Sequence, residues 1–223
     1  MSTGLVWLNV RERFVAPSQT RGGRSILGGL IAVARSPGLL ALLFVLLMAQ
    51  FGVRTVQPVV TLFVQELVGA RPDLATLSGI AFLVTGLSNV IAASFLGNRS
   101  DVIGYRRVLL ICLLGATLTT LPQAFTDRYW TFTAQRFAVG LFIGGILPTA
   151  NVLVGRLVPR AERGTIYGIT ASAMFFGNSM GPLTGGAAAA AFGLRRVFLA
   201  TSALLANLVW VYSRAPEYVD HDS

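Results

Sequence analysis

Gly97-Asn98-Arg99-Ser100-Asp101-Val102-Ile103-Gly104-Tyr105-Arg106-Arg107 sets charge and glycine between two long apolar stretches. Apolar runs of about 20 residues cross bilayers, so a segment dense in Arg, Asp and Gly between two of them belongs at a membrane surface. Its pattern predicts a tight turn. Gly97 and Gly104 allow backbone geometries denied to other residues. Asp101 stands just ahead of the next span, where a carboxylate caps orphan amides and meets the positive end of a helix dipole. Arg106 and Arg107 are placed to pair with it or to anchor on anionic headgroups. By spacing alone, a positively charged turn with a capping Asp explains the segment as well as a functional loop does.

The rest of the chain supports the membrane reading. Hydrophobic residues make up 54% of it and charged residues only 12%, with a mean hydropathy of +0.68, whereas soluble domains carry roughly 25% charged residues. The 24 glycines suit close helix packing in lipid. Net charge is +9, and all 18 basic residues are Arg. These arginines punctuate apolar stretches and do not gather into a basic domain, which excludes nucleic acid as a partner. Cys112 is the one cysteine; it cannot form an internal disulfide and reads as a small hydrophobe.

Six spans follow from hydropathy, at roughly 38–58, 76–96, 106–125, 131–155, 165–191 and 195–213. Lipid offers no partners to unpaired backbone groups, so all six should be helices, giving an all-α membrane protein with six transmembrane helices. Residues 1–36 read as a basic cytoplasmic leader that ends in an interfacial helix, with Pro37 opening the first span. Residues 37–213 form the six-helix unit and 214–223 a tail. With the N-terminus inside, twelve arginines fall on the cytoplasmic face and four outside. By the positive-inside rule both termini are then cytoplasmic.

A second informative segment is Gly177-Asn178-Ser179-Met180-Gly181-Pro182-Leu183-Thr184-Gly185-Gly186. Gly177, Gly181 and Gly185 recur every four residues and draw a side-chain-free stripe down one helix face, which invites close approach of another helix. Pro182 removes a backbone hydrogen bond and favours a kink. Plain close packing and a moving interface both fit this pattern.

Together these segments resemble the major facilitator superfamily of secondary transporters. Gly97, Asp101, Gly104, Arg106 and Arg107 are similar to that family's loop signature between the second and third helices of a six-helix half. Gly177, Gly181, Pro182, Gly185 and Gly186 are similar to the signature that its drug antiporters carry on a fifth helix, and Arg136 with Gly140 to its Arg-x-x-x-Gly pattern. The chain departs from the usual loop at Arg99, Val102 and Tyr105. The resemblance covers residues 37–213 and is nearest to the bacterial multidrug-efflux branch. It implies one half, a single six-helix repeat, of a twelve-helix fold in the plasma membrane. It also implies a gating role for the Gly97–Arg107 loop, and a packing or conformational role for Arg136, Gly140 and the glycine-proline segment. Residues 9–24 resemble the basic linker between halves, which makes this the C-terminal half. Its partner would be the missing N-terminal half or a second copy of the chain, and its other partners membrane lipid and a small-molecule substrate.

Polar groups inside spans are costly and mark cavities or helix contacts. Gln50, Arg54 and Gln57 have the spacing i, i+4, i+7 and share one face, so they are the leading substrate-binding candidates, with Asn151 and Asn178 behind them. Arg54, near the end of a span at 38–58, could equally snorkel to headgroups. The nine acids fall in loops, span ends or tails, and the one histidine, His221, in the tail. Intramembrane proteolysis needs a Ser–His pair or clustered metal ligands inside the membrane. This pattern therefore predicts no enzyme, no catalytic residue, no metal and no cofactor. The expected function is export of small hydrophobic or amphipathic compounds by alternating access. The alternative is a degenerate, non-transporting half or a self-dimerising membrane module.

Overall fold

The computed structural model describes Val33 and residues 36–158 and 162–215, apart from the side chains at positions 97, 98 and 101. Among residues 36–158 and 162–215, six α-helices follow one another: α1 Pro37–Val68, α2 Leu74–Ile103, α3 Tyr105–Thr120, α4 Tyr129–Leu157, α5 Arg163–Phe192 and α6 Leu194–Arg214. A 3₁₀ turn, Leu121–Phe125, prolongs α3. The six expected spans are all present as helices. Five are long and apolar enough to cross a membrane. The exception, α5, is long at 30 residues but diluted by the Gly, Ala, Ser and Asn of its stripe. Most of the expected leader and tail lie outside the described residues.

Two boundaries differ from expectation. Residues 97–103 are not a turn: they complete α2, and Gly104 alone reverses the chain, with φ 95°. The helix runs on because backbone pairing continues after the apolar part ends at Leu96; hydropathy reads the lipid-facing length, not the hydrogen-bonded one. Gly97 is thus helical, and the residue ahead of α3 is Gly104, not Asp101. Any pairing of Asp101 with Arg106 or Arg107 lies outside the described side chains. The second difference is in α1, which begins at Pro37 as expected but extends through Pro58 to Val68. Its 32 residues measure about 48 Å at 1.5 Å per residue, so Arg54 sits near mid-length and not at a span end.

The packing obeys an internal two-fold relation. Helices α1 and α5 pack most extensively, α2 and α4 nearly as much, followed by α3 with α4 and then α1 with α6 and α3 with α6. Exchanging α1–α3 for α4–α6 maps this set onto itself, as expected of an inverted repeat. The connections agree. Gly104 links α2 to α3 and Gly193 links α5 to α6, each a single glycine in the left-handed region (φ 95° and 88°) that a side chain would strain. The sequence after each repeats as well: Gly104-Tyr-Arg-Arg-Val108 and Gly193-Leu-Arg-Arg-Val197.

The paired arginines close the repeat reciprocally. From the start of α3, Arg106 Nη2 donates to the carbonyls of Ser213 (3.1 Å) and Ala215 (2.6 Å) at the C-terminal end of α6. From the start of α6, Arg195 Nη1 donates to the Ala124 carbonyl (3.4 Å) beyond α3, and its other nitrogens reach Asp127 (2.6 Å) and Glu66 (3.4 Å). Cations at helix C-termini satisfy orphan carbonyls and oppose the dipole. Arg106 therefore holds two helices of one unit together, a structural task beside any gating role.

Two apolar clusters fill the interior. One, around Leu42, Leu46, Leu109, Leu113, Val154 and Leu208, occupies the Gly104 end. The other, built on Phe63, Phe132 and Phe198 with ring centroids 5.1–5.9 Å apart, occupies the Gly193 end. Within lipid such clusters stabilise by van der Waals fit more than by exclusion of water. Between them lies a waist at the level of Arg54.

Candidate functional site

The waist is assembled by the glycine stripe. A methyl group on Gly177 would lie 2.6 Å from the Leu47 carbonyl oxygen. One on Gly181 would lie 2.6 Å from Arg54 Cβ and 2.8 Å from the Phe51 carbonyl oxygen, and one on Gly185 would collide with the Thr55 carbonyl oxygen. The stripe is therefore pressed onto the backbone of α1, and no side chain fits between. Gly186, by contrast, faces open space, with nothing within 4 Å of such a methyl.

Close approach of α1 and α5 brings three of the expected residues into one network. Arg54 Nε donates to Asn178 Oδ1 (3.0 Å), across the helix pair. Arg54 Nη1 donates to Gln57 Oε1 (3.0 Å), one turn along α1. Arg54 and Asn178 are half-buried and Gln57 is exposed. Both acceptors are amides, so they orient the guanidinium without neutralising it. No carboxylate pairs with Arg54 among the described residues. Gln50 stays outside the network and lines a small cavity of about 30 Å³ between α1 and α4, with Val53, Ile143 and Leu147. Asn151 is not joined to it either; its backbone carbonyl accepts from the Tyr167 hydroxyl (2.9 Å).

Two features of this site were legible in the sequence yet not anticipated. The polar face of α1 continues past Gln57 through Thr61 and Gln65, both exposed; positions 50, 54, 57, 61 and 65 fall within one narrow arc of a helix. The prolines are also in register with the network. Pro58 and Pro182 lack the N–H that would bond the carbonyl four residues back, and those carbonyls belong to Arg54 and Asn178. A charged side chain, amides and freed carbonyls at mid-helix need water or a polar ligand, because lipid supplies no donors.

Helices α2 and α4 make the counterpart of this contact. Gly140 lies against the Ser88 hydroxyl and the Thr85 carbonyl, and Gly144 against the backbone of Asn89. Gly144 and its four-residue spacing from Gly140 were a signal of the same kind as the α5 stripe. One turn from Gly140, Arg136 is buried (9% exposed), and its Nε has no hydrogen-bond partner among the described residues. Asn89 Oδ1, Ser78 Oγ and Thr149 Oγ1 are likewise buried without partners. Arg136 is thus enclosed at this contact, whereas Arg54 stays half-exposed at the edge of the α1–α5 contact. Of the loop residues, Gly104 makes the turn, Arg106 is the clamp described above, and Arg107 is exposed. Among the described residues no group of His, Cys, Asp and Glu could hold a metal.

Six helices related by an inverted repeat, with a cationic polar site at mid-helix, are the architecture on which polytopic secondary transporters are built. Comparison with known proteins gives the family. The Major Facilitator Superfamily model matches residues 26–222. The multidrug resistance protein MdtG of Dickeya zeae is 34% identical over 200 residues, 88% of this chain and 48% of the relative. The MFS-type transporter YuxJ of Bacillus subtilis is 31% identical over 214 residues, 94% and 54% of the two chains. The inward-open xylose transporter XylE of E. coli superimposes with a TM-score of 0.66 at 17% identity, over 80% of this chain and 48% of that one; at that identity the likeness concerns the fold. This chain belongs to the Major Facilitator Superfamily and is a multi-pass membrane protein. It spans about half the length of the curated relatives it matches.

Proposed function

We propose that the chain is one six-helix half, the C-terminal one, of a transporter that exports small hydrophobic or amphipathic compounds by alternating access. In this reading it resides in the plasma membrane with both termini cytoplasmic, works with an N-terminal six-helix half or a second copy of itself, and contacts membrane lipid over its outer faces. The observation that carries the reading is the Arg54–Gln57–Asn178 network: a cation with no carboxylate partner among the described residues, held at mid-helix on a continuous polar face of α1. Such a face is stable against water or a partner's polar cavity, not against lipid. Relatives named multidrug resistance proteins support the substrate class.

Arg136 then braces the α2–α4 contact, the glycine stripe of α5 preserves close packing as the halves rock, and Gly104 with Arg106 fixes the α2–α3 corner. The test is drug accumulation in an efflux-deficient strain that expresses the chain alone or together with a matching six-helix half. A cavity between two halves cannot be closed by one, so the chain alone should leave accumulation unchanged and the pair should lower it. Unchanged accumulation with both would overturn the proposal.

A further inference from the structure

The geometry points to a substrate class for this site, an inference that rests on the transport reading above: we infer that Arg54 receives the anionic oxygen of a lipophilic anion, a hydrophobic body carrying a carboxylate, sulfonate or phosphonate. Arg54 uses Nε for Asn178 and Nη1 for Gln57, which fixes the plane of the guanidinium and leaves the Nη2 edge without a hydrogen-bond partner among the described residues. A planar fork held in this way matches two oxygens of an anion in bidentate geometry. Both anchoring partners are neutral amides, so the full positive charge remains on offer. The described carboxylates Glu66, Asp73, Asp127 and Glu162 all lie near helix ends or in the connections between helices, away from the waist. Among the described residues the waist therefore offers a cation no carboxylate to pair with, and inside a span, where charges are screened least, Arg54 repels one.

Apolar surface for the body of such a ligand begins on the turn of α1 before Arg54, at a crevice of about 30 Å³ that is too small to enclose it. Val53, Ile143, Ile146 and Leu147 line the small cavity next to Gln50 on the neighbouring turn of α1. Asn178 is a positioning residue: its carboxamide oxygen aims the guanidinium, and a carboxylate in its place would occupy the charge itself.

Three probes of one shape test this: biphenyl-4-carboxylate, the neutral biphenyl-4-carboxamide and the cationic 4-phenylbenzylammonium. Equilibrium binding is measured on membranes containing the 223-residue chain, alone and together with a matching six-helix half. The wild type should bind the carboxylate at least about tenfold more tightly than the other two, the discrimination expected of one charge-assisted hydrogen-bonded pair. Arg54→Gln should abolish the preference, and so should Asn178→Asp, which keeps Arg54 in place but neutralises it. A preference for the ammonium, equal binding of all three, no binding of any, or a preference that survives Arg54→Gln would overturn the inference. So would a preference that disappears when the second half is added, since Arg54 would then be neutralised across the interface. Transport is scored separately by accumulation of the same probes in cells: charge preference without transport counts against the transport reading alone, and transport of the ammonium as readily as the carboxylate against the inference alone.

Discussion

The α1–α5 and α2–α4 contacts are built by the same device and put to opposite use. Each brings two helix backbones together over glycines four residues apart, Gly177, Gly181 and Gly185 in one, Gly140 and Gly144 in the other. Each carries one arginine inside a membrane span without a carboxylate partner among the described residues. Arg136 is buried at the α2–α4 contact, which also holds the buried Ser88 hydroxyl against Gly140 and the Asn89 carboxamide oxygen without a partner among the described residues. Around Arg54 the contact opens onto a polar face that runs down α1. The difference teaches that the glycines set the distance between helices, while the residues flanking them decide whether the charge is braced inside or presented outside.

The largest expected effect comes from removing the shared device. Gly185→Val would drive a side chain into the Thr55 carbonyl, which belongs to backbone and cannot step aside. A loss of about 1–3 kcal/mol or more is expected for overpacking of this kind, read as a collapsed melting temperature in detergent. Gly144→Val, against the Asn89 backbone, should be as harmful; if either were tolerated, the symmetry between the two contacts would fail.

Next come the arginines, which should separate. Arg136→Gln removes a buried stem and should lower stability by about 1 kcal/mol or more, visible as reduced melting temperature and membrane level. Arg54→Gln should leave the membrane level unchanged and suppress efflux by the assembled pair. Equal effects of both substitutions on both readouts would erase the distinction between a bracing and a presenting arginine. The smallest effect is expected at Gly186, where Gly186→Ala meets open space and should shift stability by no more than about 0.5 kcal/mol despite its place in the glycine-proline signature.

Much of this architecture is legible in the sequence because lipid leaves few choices: six apolar runs become six helices, and glycines at a spacing of four become a contact face. The α2–α3 corner is less legible. Arg99, Ser100 and Asp101 are too polar for a span, yet they continue α2, because backbone hydrogen bonding does not stop at the edge of the hydrocarbon. The reach of α1 is hidden for a related reason. Pro58 and the polar Gln57, Thr61 and Gln65 dilute its hydropathy, and so Arg54 reads as lying near a span end. At the site itself, the i, i+4, i+7 spacing sets Gln50, Arg54 and Gln57 along one side of α1, but only packing shows that Asn178 reaches Arg54 while Gln50 and Asn151 stay outside the network. The choice of Asn178 depends on which turn of α5 the glycines press against α1, a long-range fact with no local signature. Gly104 and Gly193, each followed by two arginines, are a repeat that the sequence does display.

The claim that the polar face of α1 meets water and not lipid can be measured directly. With Cys112 replaced by Ser, single cysteines are placed at Gln57, on that face, and at Leu87, an exposed apolar position of α2 (56% exposed), and membranes are treated with a membrane-impermeant maleimide. Thiolates form in water and not in hydrocarbon. Gln57→Cys should be modified and Leu87→Cys should stay unmodified; modification of Leu87→Cys with Gln57→Cys untouched, or equal modification of both, would contradict it.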